Sequence, residues 1–105
     1  MTTRSRSESE RERRLLKRYG ITNDEYERLL LVREGCCWVC GKKPSGRRLH
    51  VDHDHKKKGR ASIRGLVCWA CNSMLQRGRD DPAILRSAAD YLESAKAQEV
   101  LDATT

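Results

Sequence analysis

The segment His50-Val51-Asp52-His53-Asp54-His55 holds all three histidines of a 105-residue chain, together with two aspartates. A carboxylate beside an imidazole suits metal-assisted hydrolysis of a phosphodiester. The carboxylate can hold a hard divalent cation that offsets charge developing on the phosphate. A neutral histidine can take a proton from water near neutral pH. A polar loop, or a helix cap with scattered imidazoles, is the plainer alternative.

Two identical short pairs bracket this segment: Cys37-x-x-Cys40, followed by Gly41, and Cys68-x-x-Cys71. A two-residue gap lets both thiolates of a pair reach one ion while the backbone turns around it. Four thiolates at about 2.3 Å satisfy tetrahedral zinc and leave no open position, so the expected site is structural and holds one Zn²⁺. Disulfides or buried thiols are the competing reading, which the doubled spacing disfavours; iron–sulfur ligation is the weaker metal alternative. Cys36 falls outside the spacing and is expected as a free, partly buried thiol. With zinc satisfied by cysteines, the histidines remain available. Asn72, directly after Cys71, would be aimed by the same knot back across the histidine segment.

Composition agrees. Only 37% of the residues are hydrophobic, 35% are charged and there is no Phe, so a chain of this size is expected to lean on a metal, a disulfide or a partner chain. No signal peptide or transmembrane run is evident, which points to a cytoplasmic protein that is not secreted and has no membrane partner. In a reducing compartment, paired cysteines are more often ligands than disulfides. Residues 42–64 carry nine basic and only two acidic side chains, which matches the whole net charge of +7. That concentration favours a polyanion, most simply nucleic acid. Arg47, Arg48, Lys56, Lys57, Lys58, Arg60 and Arg64 are the expected backbone-phosphate contacts, although a solvated basic tip would look the same. Trp38 and Trp69 occupy equivalent places in the two pairs, and packing around the zinc is expected of both.

The elements that must position these groups can be placed from patterning. Residues 1–10 are polar and expected to be a disordered tail. A short basic helix then ends near Gly20. Thr22 and Glu25 fit a capping box that opens a second helix with Tyr26, Leu29 and Leu30 on one face. Leu49 to His53 and Ala61 to Cys68 suggest a hairpin whose tip is Lys56–Arg60. A short helix follows to Gly78. Asp81-Pro82 opens a final helix over 81–98, with Ile84, Leu85, Ala88, Tyr91, Leu92 and Ala95 on its apolar face. Tyr26, Leu29, Leu85, Tyr91 and Leu92 are expected as core or dimer-interface residues. In a regular strand Asp52 and His53 would point to opposite faces, so a shared site requires the strand to end, bend or bulge beside them.

The run Cys37–Gly41, Leu49–His55 and Ile63–Asn72 resembles the phage recombination endonuclease VII family, a branch of the HNH (ββα-metal, or His-Me finger) nucleases. The match covers about residues 37–72, with a looser likeness in Tyr19–Leu30. The resemblance implies an α+β fold: a small zinc-stapled ββα-metal core flanked by N- and C-terminal helices. It implies one domain over 11–105, with N-terminal helices at 11–35, the core at 36–78 and the C-terminal helix at 81–98. It also implies an Mg²⁺-dependent endodeoxyribonuclease, with Mn²⁺ as an alternative metal, that cuts branched DNA such as Holliday junctions. Carried over by position, Asp52 and Asn72 bind Mg²⁺ and His53 is the general base. His55 and His50 match accessory histidines. Cutting both strands of a junction needs two sites, which a homodimer would supply. If the chain is phage-encoded, the compartment is the host cytoplasm. A general HNH endonuclease without branch preference is the alternative enzyme. A zinc-ribbon nucleic-acid-binding module is the non-catalytic alternative, and it leaves Asp52, His53 and Asn72 unexplained.

Overall fold

The structure is a computed structural model that describes residues 6–103. Among these, α1 (Arg6–Tyr19) and α2 (Asn23–Val32) precede a two-stranded antiparallel sheet of β1 (His50–His53) and β2 (Ile63–Val67); α3 (Trp69–Arg77), α4 (Pro82–Glu93) and α5 (Lys96–Ala103) follow. The fold is mixed α and β, with the expected strand, strand, helix order at its centre. The chain divides into two compact units, the first ending at Asn72 and the second beginning at Ser73.

The N-terminal half departs from expectation at its start. The polar tail expected over 1–10 is helical from Arg6, while residues 1–5 lie outside the described residues. Arg6 Nε donates to Glu10 Oε1 one turn away at 3.2 Å, the kind of i,i+4 pair that supports an exposed helix end. α2 opens as its sequence predicts. The Glu25 N–H donates to Thr22 Oγ1 at 3.1 Å, and the Thr22 N–H donates back to Glu25 Oε1 at 3.0 Å.

Both helices meet the hairpin through one apolar cluster. Leu15, Ile21, Tyr26, Leu49, Val51, Leu66 and Val67 are buried together with Cys37 and Cys71. Tyr26 buries its ring and donates its hydroxyl proton to the Leu49 carbonyl at 2.6 Å, so the polar end of a large core residue has a partner. The hairpin tip is a 3₁₀ turn, Gly59–Ser62, rather than an open loop. From it Arg60 reaches back to the N-terminal helices. Its Nη1 donates to Glu25 Oε1 at 2.8 Å and to the Gly20 carbonyl at 3.0 Å, and its second terminal nitrogen takes the other Glu25 oxygen.

The C-terminal unit is correctly opened but differently divided. Asp81 caps α4, accepting the Ala83 N–H at 2.9 Å, with Pro82 at the first helical position. The single helix expected over 81–98 is two helices. Ser94 is extended, with φ −78° and ψ 136°, and its hydroxyl accepts the Lys96 N–H at 3.2 Å. A serine that satisfies the next helix's first donors makes a break easy at that point. Tyr91 and Leu92 are 78% and 82% exposed, so neither is buried within this unit.

The Arg60 guanidinium beside Glu25, with the Thr22 N–H, holds the Glu25 carboxyl down from its ordinary 4.5 to about 2. A depressed carboxyl stabilises the fold above its unfolded value, and that contribution fades as pH falls toward the folded value. Urea-denaturation midpoints should therefore decline between pH 4.5 and about 2, and Glu25→Gln should flatten this limb. An unchanged acid limb in the variant would show that the pair does not couple the tip to the helices.

Candidate active site and metal centre

The two cysteine pairs come together. The sulfurs of Cys37, Cys40, Cys68 and Cys71 all lie within 4.8 Å of one another, and Cys40 Sγ is 3.9 Å from Cys68 Sγ. Tetrahedral zinc with 2.3 Å bonds requires sulfur separations of about 3.8 Å, so this donor set fits such an ion. Local backbone geometry builds the site. Gly41 adopts φ 73° and its N–H returns to the Cys37 carbonyl at 2.9 Å, which closes the first knuckle. Cys68 is the single residue between β2 and α3, so one ligand is also the joint between strand and helix.

The thiols are electrically unequal. Burial opposes ionisation of Cys37, but the backbone N–H groups of Cys40, Cys68 and Val39 outweigh it and bring the thiol down to about 6. Burial, joined by thiol hydrogen bonds with Cys68, Cys37 and Cys40, pushes Cys71 up to about 12. A bound cation is what lets several thiolates coexist, and its binding releases their protons.

The first knuckle is fastened to the hairpin. The Trp38 N–H donates to the Leu66 carbonyl at 2.9 Å, and the Trp38 ring lies against Gly65. A Cβ on Gly65 would sit 2.4 Å from Trp38 Cε3, so only glycine allows the approach. Trp38 packs as its position predicts. Trp69 does not: it is 58% exposed at the start of α3, because the second knuckle turns it outward rather than over the strand.

The strand pairing shifts register between Asp52 and His53. Val51 faces Leu66 and Asp52 faces Gly65, but His53 faces Ile63. Arg64 is thus the extra residue, a β-bulge in β2 opposite the Asp52–His53 step, and β1 itself ends at His53. The Arg64 side chain clamps the buried Asp52: its Nε donates to Oδ2 at 2.8 Å and Nη2 to Oδ1 at 2.9 Å. A carboxylate offers roughly four lone-pair positions, so the clamp orients Asp52 and leaves acceptor capacity. His53 is half-buried, its ring 5.4 Å from Tyr19 and 4.4 Å from His55. Asp54 ends the strand as a turn residue. The Lys56 N–H donates to its Oδ1 at 3.0 Å and, as the main cause, holds the carboxyl below its ordinary range. Asn72 sits half-buried in the first turn of α3, its N–H donating to the Cys68 carbonyl at 2.9 Å.

Three arginines expected as phosphate contacts are engaged inside the chain. Arg60 holds Glu25, Arg64 holds Asp52, and Arg48 lies 4.5 Å over the Tyr26 ring with Glu27 at 3.4 Å. Lys56, Lys57, Lys58 and Arg47 are exposed. A different set of cations lies on α1. Arg11, Arg14 and Arg18 line a cleft of about 300 Å³ with Tyr19 and His50. Their i, i+3, i+7 spacing is one helical face, a signal available in the sequence once that segment is known to be helical.

A family model described as recombination endonuclease VII matches residues 12–94. The Gene 59 protein of Mycobacterium phage D29 is 39% identical over 99 residues, and that of Mycobacterium phage L5 is 39% identical over 102. Each match covers 92% of this chain and 58% of the relative, so the chain spans somewhat over half the length of these proteins.

Two outcomes follow for the metal centre. Purified protein should release one equivalent of zinc on thiol modification, measured with a colorimetric chelator, and Cys37→Ser should hold less than half of that. Full zinc in Cys37→Ser would remove this residue from the ligand set. Gly65→Ala, which forces Trp38 off the strand, should lower stability by about 1–3 kcal/mol in guanidinium titrations of the zinc-loaded protein. No loss would mean that the Trp38 contact is loose.

Proposed function

This chain belongs to the recombination endonuclease VII family, and on that premise we propose that it is a metal-dependent endonuclease that hydrolyses phosphodiester bonds of branched DNA. The observation that carries the reading is the register break between Asp52 and His53, with Arg64 clamping the aspartate. A basic zinc module that merely bound DNA would have no need for a buried carboxylate held beside a bulge.

In this reading His53 is the general base. Tyr19 and His55 flank its ring and limit its rotation, so one ring nitrogen is presented to a water aligned with the scissile phosphate. Asp52 and Asn72 would hold Mg²⁺, with Mn²⁺ an alternative, and a bound divalent cation supplies charge neutralisation at the phosphate. Arg64 is a positioning residue that keeps Asp52 aimed through its two parallel hydrogen bonds. Zinc would occupy the four-cysteine site and serve structure alone. Arg11, Arg14 and Arg18 beside β1, with Lys56–Lys58 at the tip, would hold the phosphate backbone through contacts that are salt-sensitive and blind to sequence. Two copies of the chain would cut the two strands of a junction.

The test is Mg²⁺-dependent cleavage of a four-way DNA junction and a matching linear duplex. Junction cutting should fall by about 10²- to 10⁴-fold in His53→Ala, with zinc content and circular dichroism unchanged. Cutting that survives in His53→Ala would displace His53 as the base. Equal cutting of both substrates would leave a general HNH nuclease, and binding with no cutting in Mg²⁺ or Mn²⁺ would leave the binding module.

A further inference from the structure

A second cleft, about 560 Å³, lies on the cysteine knot, lined by Trp69, Pro44 and Ala70 together with Lys42, Lys43 and Arg47. Its volume falls within the range of roughly 300–1,000 Å³ typical of sites for one small ligand. Trp69 is the most exposed aromatic near the knot, at 58%, and it follows a candidate metal ligand directly. The knot therefore fixes its backbone, while its ring is held open by nothing in the core. Lys42, Lys43 and Arg47 enter no ion pair among the described residues, unlike Arg48, Arg60 and Arg64. The cleft thus combines a rigidly rooted aromatic face with three uncompensated cations.

We propose that this cleft binds an unpaired stretch of DNA, with one base stacked on Trp69 and flanking phosphates on Lys42, Lys43 and Arg47. This rests on the reading that the chain acts on DNA, and it deepens that reading by naming a device that recognises branching. Charge complementarity selects an anion, and the apolar face selects one with a planar apolar surface. A base inside a duplex is already stacked, so an indole face gains most from bases freed at a crossover, flap or gap. The site is separate from the Asp52–His53 centre and would engage the DNA strand without touching the reacting phosphate.

The experiment uses the full zinc-loaded chain without added Mg²⁺ and follows fluorescence anisotropy of a labelled oligothymidylate and of a blunt duplex. Trp69→Ala should weaken oligothymidylate binding by about 5- to 100-fold and leave the blunt duplex within about twofold. Trp69→Phe should keep most of the affinity, because a smaller ring still stacks. The double variant Lys42→Glu, Lys43→Glu should lose oligothymidylate binding and lower its salt dependence. Unchanged oligothymidylate binding in Trp69→Ala overturns the proposal. So does an equal loss on duplex, which would make the cleft an ordinary phosphate contact, and so does a Phe variant as weak as Ala. If Trp69→Ala cannot hold zinc, the charge-reversal variant decides, and wild-type binding by it is fatal. Wild-type junction cleavage is read separately. Trp69-dependent binding without any cleavage defeats only the nuclease reading, whereas cleavage with Trp69-independent binding defeats only this one.

Discussion

Four sulfurs within 4.8 Å of one another are the constraint on which the rest of the first unit depends. They join a knuckle before the hairpin to the residue that ends it, across 27 residues of chain that would otherwise have only two short strands to hold them. An isolated two-stranded hairpin is marginal in water. Here it is clasped at its base by the knot, pressed by Trp38 at Gly65, and tied at its tip by Arg60 to Glu25. The register break between Asp52 and His53 lies between the clasp and the tie. A bulge costs ladder hydrogen bonds, so the strength on either side lets it persist.

The basic charge of the central segment is divided between two tasks. Arg48, Arg60 and Arg64 face carboxylates or an aromatic ring of the same chain and act as internal struts. Arg suits this work, since its planar fork matches a carboxylate with two parallel hydrogen bonds. The lysines at the tip and in the first knuckle stay at the surface as compact point charges. Net charge alone therefore overstates how much of the segment is available to a polyanion. Part of the deficit is made up by α1, whose arginines reach the cleft beside β1.

Much of the fold was legible because its signals are local or combinatorial. The doubled Cys-x-x-Cys, the Thr22–Glu25 box and the Asp81-Pro82 start each depend on a few neighbouring residues whose chemistry leaves little choice. That the strand must end, bend or bulge beside Asp52 and His53 followed from strand geometry. What sequence could not give were choices settled at a distance. Whether Arg60 meets solvent or Glu25, 35 positions away, depends on tertiary placement. The same holds for Gly65, whose requirement comes from Trp38, and for the unequal fates of the two tryptophans. The helical start at Arg6 and the break at Ser94 were missed for a different reason: weak polar segments are decided by side-chain-to-backbone competition worth a fraction of a kcal/mol to about 1 kcal/mol.

That the cysteine knot holds the bulged hairpin in place is tested most directly by amide hydrogen exchange at Val51, Asp52 and Leu66, in zinc-loaded protein and after the metal is stripped. Protection at these amides should collapse on stripping and return when zinc is restored, while amides of α4 change little. Protection that survives removal of the metal would mean that the hairpin stands on its own core, and that the knot is not what positions the site.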